Sequence, residues 1–500
     1  MTSGSQSTTT QLTDSAFKSL AFRHGYWAVA GRALNVAVTA VSGVLLARNL
    51  STADFGKISI IQTAVSIGSV AASLGLGVSS LRLLAHARHA GTIAPTVAVV
   101  KRIRGIVLLF VSSVAAIIGV MMHLFSEKLF WESTSTTITL LIGCGIFLRA
   151  VQAIVAEMSR GFNEVRVSNL LAGWNGGPLQ NLLFLAAVCS AAAFSSVSWK
   201  LALGFDVAAM AISVVIGVFF FQRTLSHHID SHHDAPVSNA TSVTSGQSHA
   251  MSSHGSWRDI LAISFPIMLT SLVAFAIEQG DIVLGGFVCS EADLPLYAAA
   301  KRCSLLMRVP FAISNMAVIG LISQLYLSGQ IERLQQLLQV SSGLCGIFAL
   351  AITAVVVSVP DVTLSMLFGG NYSDGATLLI ILSIGQLGVI LTGSTQQLLL
   401  LGRGERVALL INLLGLATVV TTAMPAYKLF GRNGFAVSYA ITLLLVNLLQ
   451  WFYVRSRLGI KTEPDFVLTM HMLSRQLAVL KKRLHGKRKA AGHSSSEETP

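Results

Sequence analysis

Twelve apolar stretches of about 20 residues recur along the chain, and no other feature constrains its fold so tightly. They lie at approximately 25–46, 58–80, 105–123, 138–157, 169–191, 200–221, 260–288, 303–325, 338–358, 375–396, 407–427 and 433–454. Segments of this length cross a bilayer as helices, because hydrocarbon offers the backbone N–H and C=O groups no partner outside the segment. Composition agrees: 53% of residues are hydrophobic and only 11% charged, against about 25% charged in soluble domains. The sequence therefore predicts an all-α polytopic membrane protein. Residues 1–20 are Ser/Thr-rich without an apolar core, so no cleavable leader is expected there.

Lys and Arg set the orientation. With the N-terminus inside, the cytosolic segments hold 24 of them and the opposite side 8, while Arg32, Arg149 and Arg308 fall within spans. Both termini are then cytosolic by the positive-inside rule. The net charge of +13 sits mainly on these cytosolic segments, so it reflects topology and anionic lipid rather than nucleic acid. After the last span, Phe466, Met470, Leu473, Leu477, Leu480 and Leu484 form an apolar stripe running into "KKRLHGKRK". That pattern predicts a basic amphipathic helix on anionic inner-leaflet lipid, with a solvated or partner-binding helix as the alternative. The five cysteines show no CxxC spacing and are expected as free, apolar packing residues.

The chain also repeats itself. Ala53-Asp54 in "LSTADFGKIS" matches Ala292-Asp293 in "CSEADLPLYA" at an offset of 239 residues, and "RGFNEVRV" (160–167) echoes "GRGERVAL" (402–409) at nearly the same spacing. A duplicated six-helix unit follows, with a substrate path between the halves. The expected domains are a cytosolic tail (1–22), a first bundle (23–222), a His-rich linker (223–257), a second bundle (258–458) and a basic tail (459–500). The linker's "HHIDSHHD" offers metal-type ligands, but nothing around it builds a rigid site, and it reads as a connector with no metal or cofactor assigned.

Polar residues inside the spans fall on single helix faces. Arg32, Asn35, Thr39 and Ser42 share one; Ser59, Gln62, Ser66, Ser69 and Ser73 another; Lys301, Ser304, Arg308 and Asn315 a third. The Ser-rich face reads as helix packing. Arg32, Arg149 and Arg308 cannot shed their charge, so each needs water or an anion, and Glu278, Asp281 and Asp206 are available as ion-pair partners. A water-filled cationic cavity suits an anionic substrate, since guanidinium matches phosphate bidentately. Glu278 and Asp281, three residues apart in "FAIEQGDIVLGG", are expected to face that cavity as a gating ion pair or a coupling-ion site. Short outer loops and the absence of HExxH, GxSxG and Walker A patterns argue against an enzyme.

Four segments carry a family resemblance: "LLARNLSTADFGKISIIQTAVSIGSVAASLGLGVSSLRLLA" (45–85), "FPIMLTSLVAFAIEQGDIVLGGFVCSEADLPLYAAAKR" (265–302), "LFGGNYSDGATLLIILSIGQLGVILTGSTQQLLLLGRGER" (367–406) and "GRNGFAVSYAITLLLVNLLQWFYVRSRLGI" (431–460). In this order they resemble the Wzx-type polysaccharide-transporter branch of the MOP flippase superfamily. The resemblance implies a MATE-like fold of two pseudo-symmetric six-helix bundles around a central cavity. It implies a multi-pass protein of the bacterial inner membrane that moves undecaprenyl-diphosphate-linked oligosaccharide toward the periplasm. A polysaccharide polymerase and other assembly proteins are implied as partners. Substrate contact would fall to Arg32, Arg149 and Arg308, with Lys301 and Arg302 near the periplasmic mouth and Asn35 beside them. The seventh-helix Asp corresponds to Asp281. Here Gln279 stands where that pattern often has a basic residue, and Glu278 is an added acid. A multidrug exporter of the same superfamily is the alternative, and a membrane glycan polymerase or ligase the third choice.

Overall fold

The computed structural model describes residues 30–77, 79–80, 84, 93–162, 164–173, 176–194, 197–233, 257–401 and 404–475. Among them every long element is a helix. In the first half these are α1 (Ala30–Asn49), α2 (Thr52–Ala72), α3 (Val97–Leu124), α4 (Thr136–Gly161), α5 (Val165–Leu171 and, after a break, Pro178–Phe194) and α6 (Trp199–His233). The second half has α7 (Trp257–Val288), α8 (Asp293–Leu305, then a 3-10 turn and Val309–Leu327), α9 (Ile331–Ser358) and α10 (Ala376–Leu391). The long helix Glu405–Tyr453 turns sharply at Gly431, φ 59°, and supplies α11 before that glycine and α12 after it. Nine stretches of the described residues are long and apolar enough to span a membrane. The ninth contains both α11 and α12, while the interrupted α5 and α8 complete the twelve.

The fold is apolar outside and polar within. Leu109, Leu124, Leu140, Val215, Leu410, Leu429 and Phe430 are exposed on the outer surfaces of the helices, where acyl chains would solvate them. The most enclosed helix is α2, which packs on α4 in its own half and on α7 and α8 in the other. Its hydroxyl donors are satisfied locally, although Ser59, Gln62 and Ser66 of the face read as helix packing also accept from the Arg149 and Arg302 guanidinium groups. Ser59, Thr63 and Ser66 each bond the carbonyl four residues back, at 2.7–2.8 Å, which satisfies them without leaving the helix. Gly75, at φ +71°, follows that face at a break in the helix. A Cβ there would meet the Ser264 carbonyl oxygen of α7 at 2.2 Å. Ser79 and Ser264 then share a hydrogen bond of 2.6 Å between the halves.

The repeat is visible in the helix starts. Ser51 accepts a bond from the Asp54 amide at 3.1 Å, and Ser290, 239 residues on, accepts one from the Asp293 amide at 3.2 Å. Ser51 is the N-cap of α2, which starts at Thr52, and the Ser290–Asp293 bond leads into α8, which starts at Asp293, six and ten residues before the expected span limits. Lys57, Lys301 and Arg302 therefore lie inside helices, and the expectation of Lys301 and Arg302 at the periplasmic mouth gives way. Helix α6 likewise continues to His233, into the segment read as linker; residues 234–256 lie outside the described residues. All five cysteines are free.

A short strap leads from α12 into a helix over 466–475. Thr462 Oγ1 donates to the Thr392 carbonyl at 2.9 Å, Asp465 caps the helix through the Leu468 amide at 2.9 Å, and Thr469 is buried against Gly343 of α9. Phe466, Met470 and Leu473 of the predicted stripe are exposed; Leu477, Leu480 and Leu484 lie outside the described residues. Glu463 anchors the strap. Burial opposes its charge, but bonds from the Trp451 indole at 3.0 Å and the Thr462 amide at 3.1 Å, with the Arg455 guanidinium alongside, hold its carboxyl below the usual carboxylate range.

Candidate functional site

Charged side chains within the membrane-spanning region form three groups on helices α1, α2, α4, α6, α7, α8 and α12. The first surrounds the acids of "FAIEQGDIVLGG". Asp281 accepts from the Tyr297 hydroxyl and pairs with the Lys301 ammonium, both partners coming from α8. Lys301 also donates to the Glu278 carbonyl at 3.0 Å and sits 4.9 Å from the Tyr439 ring centroid of α12. Tyr439 donates to the same carbonyl at 3.0 Å. Asp281 is 2% and Lys301 0% exposed. The acid thus faces helices rather than open water, and its pairing with Lys301 offsets the cost of so dry a charge. Glu278 takes a different course: it pairs with Arg308 at 3.0 Å, and the two side chains keep 33% and 24% exposure. The two acids therefore do not share one cavity face. Elsewhere on α7, Ser264 faces α2 and Ser271 is exposed.

The second group contains Arg32 of α1, partly exposed and within electrostatic reach of Glu278. Among the described residues no hydrogen bond reaches its Nε. Arg32, Glu278 and Arg308 thus form a partly accessible cluster, the part of the expected cationic lining that a ligand can approach. Asn35, one turn away, is not in it. It is buried, donates to the Gly176 carbonyl at 3.1 Å and accepts from Asn181 at 2.8 Å. The break in α5 leaves that carbonyl without a helical donor, and Asn35 supplies one.

The third group is enclosed in the first half. Arg149 is 6% exposed and donates to Ser66 of α2 at 2.6 Å. Asp206 of α6 is 4% exposed, accepts from Gln180 of α5 at 3.0 Å, and has the Gln62 amide alongside. The other end of Gln62 accepts from Arg302 at 3.3 Å, and Ser59 accepts from the same guanidinium at 3.1 Å. Arg302 lies 4.7 Å from the Phe55 ring centroid. It thereby ties α8 of the second half to α2 of the first.

The ends of the helices that carry residues 50, 131 and 290, called outer here after the Lys/Arg count, are bound together. Lys57 pairs with Glu132 at 3.1 Å and Glu291 at 3.2 Å, one acid from each half. Phe55 packs edge-on to Tyr372 at 5.6 Å and near Phe368 at 6.3 Å. Arg48 donates to the carbonyls of Met366 and Leu367. Of the residues missed from sequence, Tyr297 carried a signal, lying four positions before Lys301 on the same helix face. Tyr439 and Gln180 carried none, since only packing brings them to the acids, whereas Gln62 stands on the Ser-rich face of α2 that reads as helix packing.

The comparisons with known proteins follow this architecture. An inward-facing MATE family multidrug transporter of the MOP superfamily has a TM-score of 0.57 at 15% identity, over 87% of this chain and 98% of its own. The lipid II flippase MurJ in an inward closed conformation also gives 0.57, at 12% identity over 92% and 93%. A Vibrio cholerae MATE transporter gives 0.53, at 16% identity over 89% and 98%. At these identities the likeness is one of fold. No curated protein matches the sequence. The family model for polysaccharide biosynthesis proteins matches residues 23–326. With twelve apolar spans in a fold shared with these transporters and that match over more than half of its length, the chain belongs to the polysaccharide biosynthesis protein family.

Proposed function

We propose that this protein is a flippase for lipid-linked oligosaccharide, moving undecaprenyl-diphosphate-linked repeat units from the cytosolic to the periplasmic leaflet of a bacterial inner membrane. The observation that carries the reading is the polysaccharide biosynthesis family match on a fold shared with a lipid II flippase. The partly accessible Arg32–Glu278–Arg308 cluster supports it, because two guanidinium groups against one acid leave a net positive site for a diphosphate. The bound outer ends fit a state that receives substrate from the cytosolic side, with Arg149, Lys301 and Arg302 held in internal contacts until the halves rearrange. The chemistry required is translocation, with binding and release but no bond made or broken.

In a strain lacking the protein, Arg32→Ala and Arg308→Ala are expected to reduce surface polysaccharide at least tenfold while membrane levels of the protein stay normal. Full polysaccharide in both variants would remove the cationic-site reading. The MATE likeness favours a second reading, a small-molecule exporter. Loss of drug resistance on deletion, with surface polysaccharide intact, would select it.

A further inference from the structure

The two halves each bury an acid, but they treat it differently. The repeat offset of 239 residues places Gln62 of α2 in register with Lys301 of α8. In the second half the register position holds a cation, and Lys301 neutralises Asp281 by direct contact. In the first half it holds a neutral amide. Asp206 is contacted by Gln180 at 3.0 Å and faced by Gln62, while Arg149 lies within electrostatic reach but spends its short bond on Ser66 at 2.6 Å. No ion pair closes on Asp206 among the described residues. The charged groups facing it there are Arg149 from α4 and, beyond Gln62, Arg302 from α8; Gln180 from α5 and Gln62 from α2 are uncharged.

We infer that Asp206 is a proton-binding site, and that Gln62 transmits its charge state to Arg302 and so to the outer closure. Ionised, the carboxylate orients the Gln62 amide toward itself, which turns the Gln62 carbonyl to Arg302. It is also the acid that faces the Arg149 guanidinium. When a proton from water binds one Asp206 oxygen, that negative charge is gone. Arg149 then remains in a low-dielectric region without this counter-charge, Gln62 loses its strongest acceptor, and the bond from Arg302 to α2 weakens. Arg302 holds α8 against Ser59, Gln62 and Phe55, so its release removes one tie between the halves and weakens the outer closure that Lys57 and Arg48 complete. Asp281 cannot play this part while Lys301 and Tyr297 hold it, and Glu278 is tied to Arg308. The coupling purpose of this site rests on the transporter reading; the site itself is testable without substrate.

The test uses the full chain in lipid vesicles, with spin labels at Lys128→Cys and Asn371→Cys on the outer ends of the two halves. The distance between labels is expected to lengthen as pH falls from 8 to 5. Asp206→Asn should show the long distance at every pH, Asp206→Glu should restore the response at a shifted midpoint, and Glu332→Gln, an exposed acid at the start of α9, should respond as the parent does. Infrared difference spectra should show a carboxyl band that disappears in Asp206→Asn and persists in Gln62→Leu, whose distance no longer follows pH. A parent distance unchanged by pH, or an unaltered response in Asp206→Asn, overturns the inference. Since no oligosaccharide is present, either result leaves the flippase reading to its own assay.

Discussion

Replacing Lys301 by Met tests whether the Asp281 pair is the arrangement that makes this acid tolerable. The Lys301 ammonium has three contacts: the Asp281 carboxylate, the Glu278 carbonyl at 3.0 Å and the face of Tyr439. The methionine fills most of the same volume, so the cavity contribution is small. What changes is charge, because Asp281 at 2% exposure is left with the Tyr297 hydroxyl as its one remaining donor among the described residues. Removing one partner of a buried pair costs about 3–5 kcal/mol, whereas replacing both with apolar groups is often neutral. Lys301→Met should therefore lose about 3–5 kcal/mol, and Asp281→Leu with Lys301→Met should recover most of it. The expected coupling energy is at least about 2 kcal/mol, measured by denaturant titration of the purified protein in mixed micelles or bicelles. If the two single losses simply add in the double variant, the pair is not the stabilising unit, and the burial argument for this site fails.

Two further outcomes follow from single positions. Gly75→Ala forces a side chain into a left-handed backbone position and against the Ser264 carbonyl. It should lower thermal stability sharply and broaden the size-exclusion profile, while Gly105→Ala, with open space around it, should leave both unchanged. The strap should also depend on acid pH. The Glu463 carboxyl is held below its ordinary value, so its contribution is present above that value and lost as pH falls below about 4.5 through its folded-state value. Amide exchange over residues 461–470 should rise in that range, and Glu463→Gln should show the raised exchange already at neutral pH. Equal protection in the two proteins at pH 7 would mean that the strap holds without this charge.

Much of the architecture was legible before any coordinates. Hydrophobic runs of bilayer length leave a chain little choice but helices. The Ala53-Asp54 and Ala292-Asp293 pairs are local features, so their repetition could be read as duplication, and Ser51 and Ser290 bond the amides of the two acids in the same way. The candidate site was legible only as an inventory. Arg32, Arg149, Arg308, Glu278, Asp281 and Asp206 stand out because charge in an apolar run is costly, but the sequence does not say which cation meets which acid. Asn35 looked like a partner of Arg32 by spacing, whereas the carbonyl exposed in the break of α5 claims it.

The sequence by itself determined the membrane class, the helix number, the duplicated plan and the set of buried charges, because these follow from local pattern and from the cost of polar groups in hydrocarbon. Tertiary structure alone decided how those charges are shared. Lys301 and Asp281 neutralise each other through a contact between α7 and α8. Asp206 instead meets neutral amides from α5 and α2, and Arg302 crosses to the opposite half. Such pairings depend on distances of a few ångströms between helices remote in sequence, and electrostatic energy in a low-dielectric interior changes steeply over that range.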